Sequence, residues 1–432
     1  MKPIIALLTI AYITCCGISE SAAQIAIGDG FPVDFAERAF QHIVRLAEIG
    51  PRSPDATGEK QAFQYICQQF ESIGLDVEVE KFDYETFRID KIDFTVCGQT
   101  IEPETIGFNP YFGRRHFGGS ALLVGPDATG DQLNEMKLRD AIVVTTSPVE
   151  YFSLLFFNPR LIVYVSNSDF ATLAAKDCLS FSLFVDGAFE TSSSANIVAE
   201  LASESPHDKE VIVSAHWDSY RNSPGADDNA SGVGVLLELA RFFTSYENDI
   251  GGSIKFISFG AEELGVVGSR AYLDGHRSDL ADCILVFNID QVGGPNGPAI
   301  EMLGGVEGIP DRIGFTQFPI RIRNRALEGP EGRWRIIDTG LIDAFMVTNR
   351  PPWLVDLIET SSKQFGFEIR PAGNLGADQQ VFTQAGIVAT SIGTSGNHHH
   401  GPQDVPAQIN KDKLEIAGKM VANVVLLSFQ QQ

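Results

Sequence analysis

The chain has 432 residues, of which 44% are hydrophobic and 20% charged, so it is long enough for two or three globular units and is neither disordered nor fibrous. Lys and Arg total 32 against 56 Asp and Glu, which gives a net charge of -24. This acidic excess disfavours a nucleic-acid partner or an anionic membrane surface, because both require basic residues.

The N-terminus has the pattern of an export signal. Lys2 precedes an apolar stretch, and small residues end at Ser21-Ala22-Ala23, which predicts a cleaved signal at residues 1–23. The apolar stretch is shorter than the roughly 20 residues that a membrane-spanning helix needs. We therefore expect a secreted or periplasmic protein with no integral membrane segment after processing. Such a compartment permits one or two disulfides among four cysteines, Cys67, Cys97, Cys178 and Cys283.

The first part of the mature chain combines helices with a β-rich insert. Apolar residues at helical spacing predict helices from Asp34 to Gly50 and from Phe63 to Gly74. Residues 90–190 contain short β-branched and aromatic runs between turn residues, which predicts an inserted β-rich unit. We thus expect residues 24–89 and 191–432 to form one α/β domain that the insert at 90–190 interrupts.

After residue 195, strands and helices alternate. Four predicted strands are mainly apolar rather than alternating: Glu210–Ala215, Ile254–Phe259, Cys283–Ile289 and Ile387–Ile392. Three predicted helices accompany them: Gly232–Phe243, Trp353–Phe365 and Leu414–Leu427. Continuous apolar strands are typical of a sheet that is buried on both faces, so the expected fold is α/β with a mostly parallel central sheet flanked by helices.

Side chains that can bind metal follow each of the four strands or precede the first helix after residue 195. They are His216, Asp218, Asp227, Asp228, Glu262, Glu263, Asp290 and His398–His400. Ligands in open α/β sheets bind beyond the carboxyl ends of the strands, so we expect these side chains to converge. Imidazole and carboxylate ligands without thiolates suit zinc or another divalent ion, and their number suits two ions with one carboxylate left as a base.

Five segments together resemble the motif series of the M28 family of zinc metallopeptidases. They are His216–Ser219, Pro224–Gly232, Gly260–Ser269, Asn288–Asp290 and His400–Asp404. Gly50-Pro51-Arg52 and the segment 194–199 are also similar, so the likeness covers nearly all of the mature chain outside the insert. The resemblance implies the zinc exopeptidase fold, which is phosphorylase/hydrolase-like, and an insert similar to a protease-associated unit.

The resemblance also implies a role for individual residues. Two Zn²⁺ would be held by five ligands, with Asp228 bridging the ions, Glu263 and His400 completing one site, and His216 and Asp290 completing the other. Glu262 would be the general base that activates the water bound between the ions. Asp218 would orient His216, and Asp404 would orient His400.

The sequence departs from the family pattern in the substrate pocket. The usual Ser-Asp-His segment reads Ala377-Asp378-Gln379 here, and Asp378 is kept as a substrate-pocket candidate. The tyrosine that often supports the oxyanion in the C-terminal part is missing, since no tyrosine follows Tyr272. Tyr220, another donor or the metal must then stabilise that charge.

We predict a secreted zinc-dependent exopeptidase, and within that class an aminopeptidase acting on peptides. A metallo-carboxypeptidase stays open, because the arginines at Arg221, Arg321, Arg323, Arg333 and Arg335 could form a cationic pocket for a carboxylate. A glutaminyl cyclase-like acyltransferase and a non-catalytic binding relative stay open as well. The sequence indicates neither the preferred side chain at the cleaved bond nor the oligomeric state.

Overall fold

A computed structural model shows the fold of the chain. The residues that it describes are 27, 30–53, 56–101, 105–108, 115–125, 136–138, 141–146, 161–176, 180–203, 209–220, 223–246, 250–294, 299–302, 319–322, 327–328, 334–337, 342–345, 351–365, 368–371, 377–393 and 401–431. The expected signal at 1–23, Cys178 and His398–His400 lie outside these residues.

Eight α-helices are present in the described part of the chain. Their bounds are α1 Phe35–Ile49, α2 Glu59–Ser72, α3 Asn167–Ala174, α4 Gly232–Thr244, α5 Val267–Gly275, α6 Pro352–Phe365, α7 Gln379–Gln384 and α8 Lys411–Ser428. A short irregular helical turn, Ala226–Ser231, leads directly into α4.

The strands belong to one large sheet and a separate two-stranded ribbon. Their bounds are β1 Val77–Val96, β2 Gln99–Thr100, β3 Thr105–Phe108, β4 Arg115–Leu123, β5 Ile142–Thr145, β6 Leu161–Tyr164, β7 Ser180–Leu201, β8 Glu210–His216, β9 Ser253–Phe259, β10 Cys283–Ile289, β11 Ala299–Met302, β12 Pro319–Ile322, β13 Leu327–Glu328, β14 Trp334–Ile337, β15 Ile342–Phe345, β16 Glu368–Pro371 and β17 Ala389–Gly393.

Four parallel strands form the middle of the large sheet, in the order β17-β10-β8-β9. Antiparallel neighbours flank them, with β11 beside β17 and β7 beside β9. The sheet is therefore mostly parallel at its centre, as the sequence predicts. Parallel strands place their carboxyl ends at one edge, which brings the residues that follow β8, β9 and β10 together.

Helices cover both faces of this sheet. On one face α1, α2, α4 and α8 pack against the strands through a large apolar cluster that includes Phe35, Phe70, Phe243 and Val425. On the other face α5 and α7 contribute Tyr272 and Phe382 to a second cluster with the strands. Burial on both faces explains why β10 is apolar over almost its whole length and why β8 has an apolar run at Val211–Val213.

Two long strands connect the central sheet to the insert region. β1 and β7 pair antiparallel over nearly their whole length, from Val77 opposite Ala199 to Val96 opposite Phe181. Beyond them β4, β5 and β6 surround a small core of their own, which includes Val144, Val163 and Leu183. The sequence-predicted limits at residues 90 and 190 thus fall inside β1 and β7.

The other elements agree closely with the sequence prediction. β10 has the predicted bounds, while β8, α4 and α6 each differ from the prediction by one residue at one end. Among the described residues, no helix combines the length and the apolar character needed to cross a membrane. Cys97 is disulfide-bonded, whereas Cys67 and Cys283 are free thiols.

Candidate metal centre and active site

The carboxyl ends of three central strands carry the predicted ligands. His216 is the last residue of β8, Asp290 follows β10 directly, and Glu262 and Glu263 lie in the loop after β9. Asp228 lies in the turn before α4. All five side chains are buried, with exposed fractions between 1% and 9%.

His216 is the centre of a compact group of donors. Its Nε2 lies 3.3 Å from Asp228 Oδ1, 3.4 Å from Asp290 Oδ1 and 3.9 Å from Glu262 Oε2. Donor atoms of His216, Asp228 and Asp290 all fall within 4.8 Å of one another. The structure therefore brings together three of the five predicted ligands and the predicted base.

This donor set fits a divalent cation. Two ligands about 2.0 to 2.1 Å from one tetrahedral zinc ion lie roughly 3.3 Å apart, which matches the spacing of His216 Nε2 from the oxygens of Asp228 and Asp290. The same spacing is too long for a strong hydrogen bond. Burial lowers the pKa of His216, but Glu262, Asp218, Asp228 and Asp290 outweigh it and hold that pKa well above its usual value. The carboxylates around the imidazole thus favour a positive charge at this position.

Asp218 holds the loop that carries Glu262 and Glu263. One carboxylate oxygen accepts a hydrogen bond from Glu262 N at 3.0 Å, and the other accepts from Glu263 N at 3.1 Å. The first oxygen also lies 3.5 Å from His216 Nδ1. Asp218 therefore faces the nitrogen of the imidazole that points away from Asp228 and Asp290, and it fixes two backbone positions next to the predicted base.

Asp404 holds the other ligand-bearing segment in the same way. Its two oxygens accept hydrogen bonds from Asp227 N at 2.7 Å and Asp228 N at 3.1 Å. Asp404 is 1% exposed. The residue that it is predicted to orient, His400, lies outside the described residues, so that role stays a prediction.

Asn229 joins this turn to the segment after β10. Its Nδ2 donates to Ile289 O at 2.9 Å, and its Oδ1 accepts from Gly232 N and Gln291 N. A side chain at Gly232 would come within 2.4 Å of Ile289 O, so only glycine allows this approach. These contacts fix Asp228 relative to Asp290.

Comparison with known proteins identifies the family of the segment that carries most of these residues. The model of peptidase family M28 matches residues 196–307. The chain contains a peptidase family M28 domain. The matched segment includes β8, β9, β10 and the ligand-bearing segments between them, and a domain of this family makes the chain a metallopeptidase.

Similar proteins match over most of this chain. Aminopeptidase YwaD of Bacillus subtilis (strain 168) is 28% identical, with 68% of this chain and 72% of YwaD covered. The solved structure of BSAP, a zinc aminopeptidase from Bacillus subtilis, superposes with a TM-score of 0.60 at 21% identity, covering 90% of this chain and 94% of BSAP. A Porphyromonas gingivalis glutaminyl cyclase superposes with a TM-score of 0.51 at 16% identity, covering 90% and 97%. Both structural likenesses show the fold.

Arg52 is a buried residue near the predicted ligands that the sequence did not place at the site. Its guanidinium donates to Trp217 O, Pro224 O and Gly225 O at 2.9, 2.6 and 2.9 Å. Burial lowers its pKa to about 10, although Asp218, Asp404, Asp228 and Glu263 oppose that shift. Arg52 thus places a positive charge behind the acidic cluster. The only sequence signal was its position in the Gly-Pro-Arg segment.

Asp378 and Tyr220, the predicted substrate-pocket residues, have different surroundings. Asp378 is fully buried just before α7, and burial, together with the Asp218 and Asp290 carboxylates, raises its pKa to about 7. Its negative charge in turn raises the pKa of Glu262, so the two carboxyl groups interact. Tyr220 is half-buried two residues after Asp218, and its carbonyl accepts from Ser223 N at 3.0 Å.

Proposed function

We propose that this M28 domain is a zinc-dependent aminopeptidase that binds two Zn²⁺ and hydrolyses the N-terminal residue from peptides. The convergence of His216, Asp228 and Asp290 with Glu262 beside them supports this proposal most directly. Glu263 and His400 would complete the second site. When bound, zinc polarises the scissile carbonyl and lowers the pKa of water.

Glu262 would move the proton in this reaction. Burial raises the pKa of its carboxyl well above the usual value, and the negative charges of Asp378, Glu263 and Asp290 raise it further. A carboxylate with a raised pKa takes a proton more readily from water and can then return it to the leaving amine. Its backbone N–H is bound to Asp218, so the group is held at a fixed position.

Recognition of the substrate's free α-amine requires a negative group near the metals. Asp378 is the proposed partner, because it is buried beside Glu262 and has no cationic residue among the main influences on its pKa other than His216. Burial makes the ionised form of Asp378 unfavourable, and the ammonium group of a substrate would compensate its negative charge. Tyr220, which is accessible from solvent, would contact the same substrate end.

The test is zinc content together with turnover of a matched peptide set. Purified mature protein would be analysed for metal and assayed on one pentapeptide in four forms: free, N-acetylated, C-amidated and blocked at both ends. We expect about two zinc ions per chain and release of the N-terminal residue from the free and C-amidated forms alone.

Different outcomes would replace the proposal. Cleavage that needs a free C-terminus would indicate a carboxypeptidase, and cyclisation of an N-terminal glutamine without cleavage would indicate a glutaminyl cyclase. A chain without metal and without turnover would indicate a binding protein. The likeness to a glutaminyl cyclase structure is one of fold, so the assays on the peptide set have to distinguish a cyclase from an aminopeptidase.

We also propose that the protein is exported. The disulfide at Cys97 is compatible with this, since disulfides persist in oxidising compartments. Expression of the full chain in a secreting host, followed by N-terminal sequencing, should find Gln24 as the first residue. Retention of Met1 in the mature protein would contradict export through the predicted signal.

A further inference from the structure

The loop that carries Glu262 and Glu263 has an unusual backbone. This segment, residues 260–268 between β9 and the first turn of α5, is called the glutamate loop below. Ala261 and Val266 have φ angles of 56° and 53°, in the left-handed region that non-glycine residues rarely adopt. Such conformations persist only where surrounding contacts enforce them.

Asn196 binds both ends of the glutamate loop. Its Oδ1 accepts a hydrogen bond from Gly260 N at 3.2 Å, and its Nδ2 donates to Gly268 O at 2.9 Å. Asn196 is 1% exposed and lies on β7, beside β9. A primary amide offers a donor and an acceptor on one rigid group, so a single side chain closes the loop at its base.

The two ends meet so closely that they leave no room for side chains. A Cβ at Gly268 would lie 2.3 Å from Gly260 O and 2.5 Å from Asn196 Oδ1. A Cβ at Gly260 would lie 2.6 Å from Ala195 O. The amide of Asn196 therefore lies against two glycines at a place where side chains on either of them would not fit.

The rest of the glutamate loop is held from other directions. Asp218 binds its middle through the backbone of Glu262 and Glu263. Tyr84 of β1 packs on Ala261, Leu264 and Val267 of the same loop. These contacts fix how the loop lies on the sheet, whereas Asn196 fixes the distance between its two ends.

We infer that Asn196 is a positioning residue for catalysis, which sets the places of Glu262 and Glu263 by holding the two ends of the glutamate loop together. This inference rests on the proposed function, because it assigns those glutamates to the base and a metal ligand. An error of about 1 Å in the position of a catalytic group can cost 10²-fold in rate.

The test compares two variants of Asn196 with a buried asparagine elsewhere. Asn196→Asp keeps the shape and the acceptor for Gly260 N but loses the donor to Gly268 O. Asn196→Ala loses both. The control is Asn423→Ala, because Asn423 is also fully buried and donates from Nδ2 to Ser361 Oγ at 2.8 Å, between α8 and α6.

We expect kcat to fall about 10- to 100-fold in both Asn196 variants, with KM changed less than about threefold. Zinc affinity, measured by chelator competition without any substrate, should fall about 10-fold, because Glu263 is displaced. Asn423→Ala should lower Tm by a similar amount while kcat and zinc affinity stay at the wild-type values. Tm alone would then not account for the loss of rate.

Two results would overturn the inference. The first is wild-type kcat and zinc affinity in Asn196→Asp, and the second is a loss of kcat in Asn423→Ala that matches the loss in Asn196→Ala at equal change in Tm. Failure of the proposed function has a different signature, since wild-type protein would then not release N-terminal residues at all. In that case the zinc competition still decides whether Asn196 positions the glutamate loop.

Discussion

Two segments carry the predicted ligands, and the protein holds them by related but unequal means. In both the turn Ala226–Ser231 and the glutamate loop, a buried aspartate accepts hydrogen bonds from two successive backbone N–H groups next to a ligand. The turn is held further by the cation of Arg52, through Gly225 at its start, whereas the glutamate loop is held further by the neutral amide of Asn196.

This difference follows from the charge around each segment. Asp227 and Asp228 are adjacent acids beside Asp404, and burial raises the pKa of Asp227 to about 7, with Asp404 and Asp228 adding to the rise. A buried cation offsets such repulsion. If Glu262 is the base as proposed, the glutamate loop instead has to leave its carboxylate free to exchange protons. The neutral amide of Asn196 binds the backbone of this loop and does not bind the carboxylate of Glu262.

The largest expected effect is on kcat, at the proposed base in the glutamate loop. Glu262→Gln should lower kcat by about 10²- to 10⁴-fold, because the amide cannot accept the proton. Zinc content and Tm should remain at wild-type values, since Glu262 is not one of the predicted ligands. Stopped assays over long times with trace-metal analysis would measure this. Near-normal kcat in this variant would remove Glu262 from the role of base.

The next effect tests the cation behind the turn. Arg52→Met keeps most of the volume but removes four hydrogen bonds to carbonyl oxygens and the charge facing four acids. We expect the zinc-free protein to lose about 3 kcal/mol of its free energy of unfolding, as when one partner of a buried ionic group is removed. Urea denaturation measures this.

The matched control for that prediction is Arg277→Met. Arg277 pairs with Asp274 on the surface, where both side chains are more than half exposed. Its replacement should change the free energy of unfolding by less than about 0.5 kcal/mol. Equal losses in the two variants would show that Arg52 contributes no more than a surface charge, and the turn would then need no buried cation.

A smaller effect compares the two aspartates directly. Asp218→Asn and Asp404→Asn each replace one acceptor oxygen by an NH₂ group that faces a backbone donor. Zinc affinity should fall about 10- to 100-fold, with the larger loss for Asp218 because it also lies 3.5 Å from His216 Nδ1. Chelator competition measures both.

The exposed Asp274 provides a control for the aspartate comparison. Asp274→Asn should leave zinc affinity unchanged, because this residue contacts Arg277 on the surface. A larger loss in Asp404→Asn than in Asp218→Asn would reverse the order, and would mean that the turn is the more sensitive of the two ligand-bearing segments.

The sequence predicted the elements of the central sheet better than the contacts that hold the site. β8 and β10 are buried on both faces, so their apolar runs end where the strands end, next to His216 and Asp290. The insert limits were less well defined, because β1 and β7 continue through residues 90 and 190 as one antiparallel ladder. A strand that continues from one hydrophobic core into another shows no change of residue pattern at the boundary between them.

The contacts of Arg52, Asn196 and Asp404 had no comparable signal. Each binds backbone groups more than 60 residues away in the chain, and a backbone partner leaves no mark on the sequence at that position. The residue types that bind metal could be recognised from their spacing. The sequence placed Asp218 and Asp404 beside the ligands, but the backbone groups that they and Asn196 bind depend on how distant segments meet.

The smallest effect tests the helix that continues the turn. Glu238 on α4 has no exposed side-chain surface and accepts from Arg38 Nε at 2.6 Å and His42 Nε2 at 3.1 Å, on α1. Arg241 Nε adds a third contact at 3.2 Å. Burial raises the pKa of Glu238, but the hydrogen bonds from His42 and Arg38 outweigh it, so the pKa lies below its usual value of 4.5.

A lowered pKa in the folded state means that the ionised form stabilises the fold above pH 4.5, and that this stabilisation disappears as the pH falls through the folded-state pKa. Glu238→Gln should therefore lower the free energy of unfolding by about 1.5 kcal/mol at pH 7, the scale of a hydrogen bond to a charged group. The difference from wild type should shrink steadily below pH 4.5. Urea denaturation at several pH values would measure it. A difference that stays constant down to pH 3 would show that the charge of Glu238 does not tie α4 to α1.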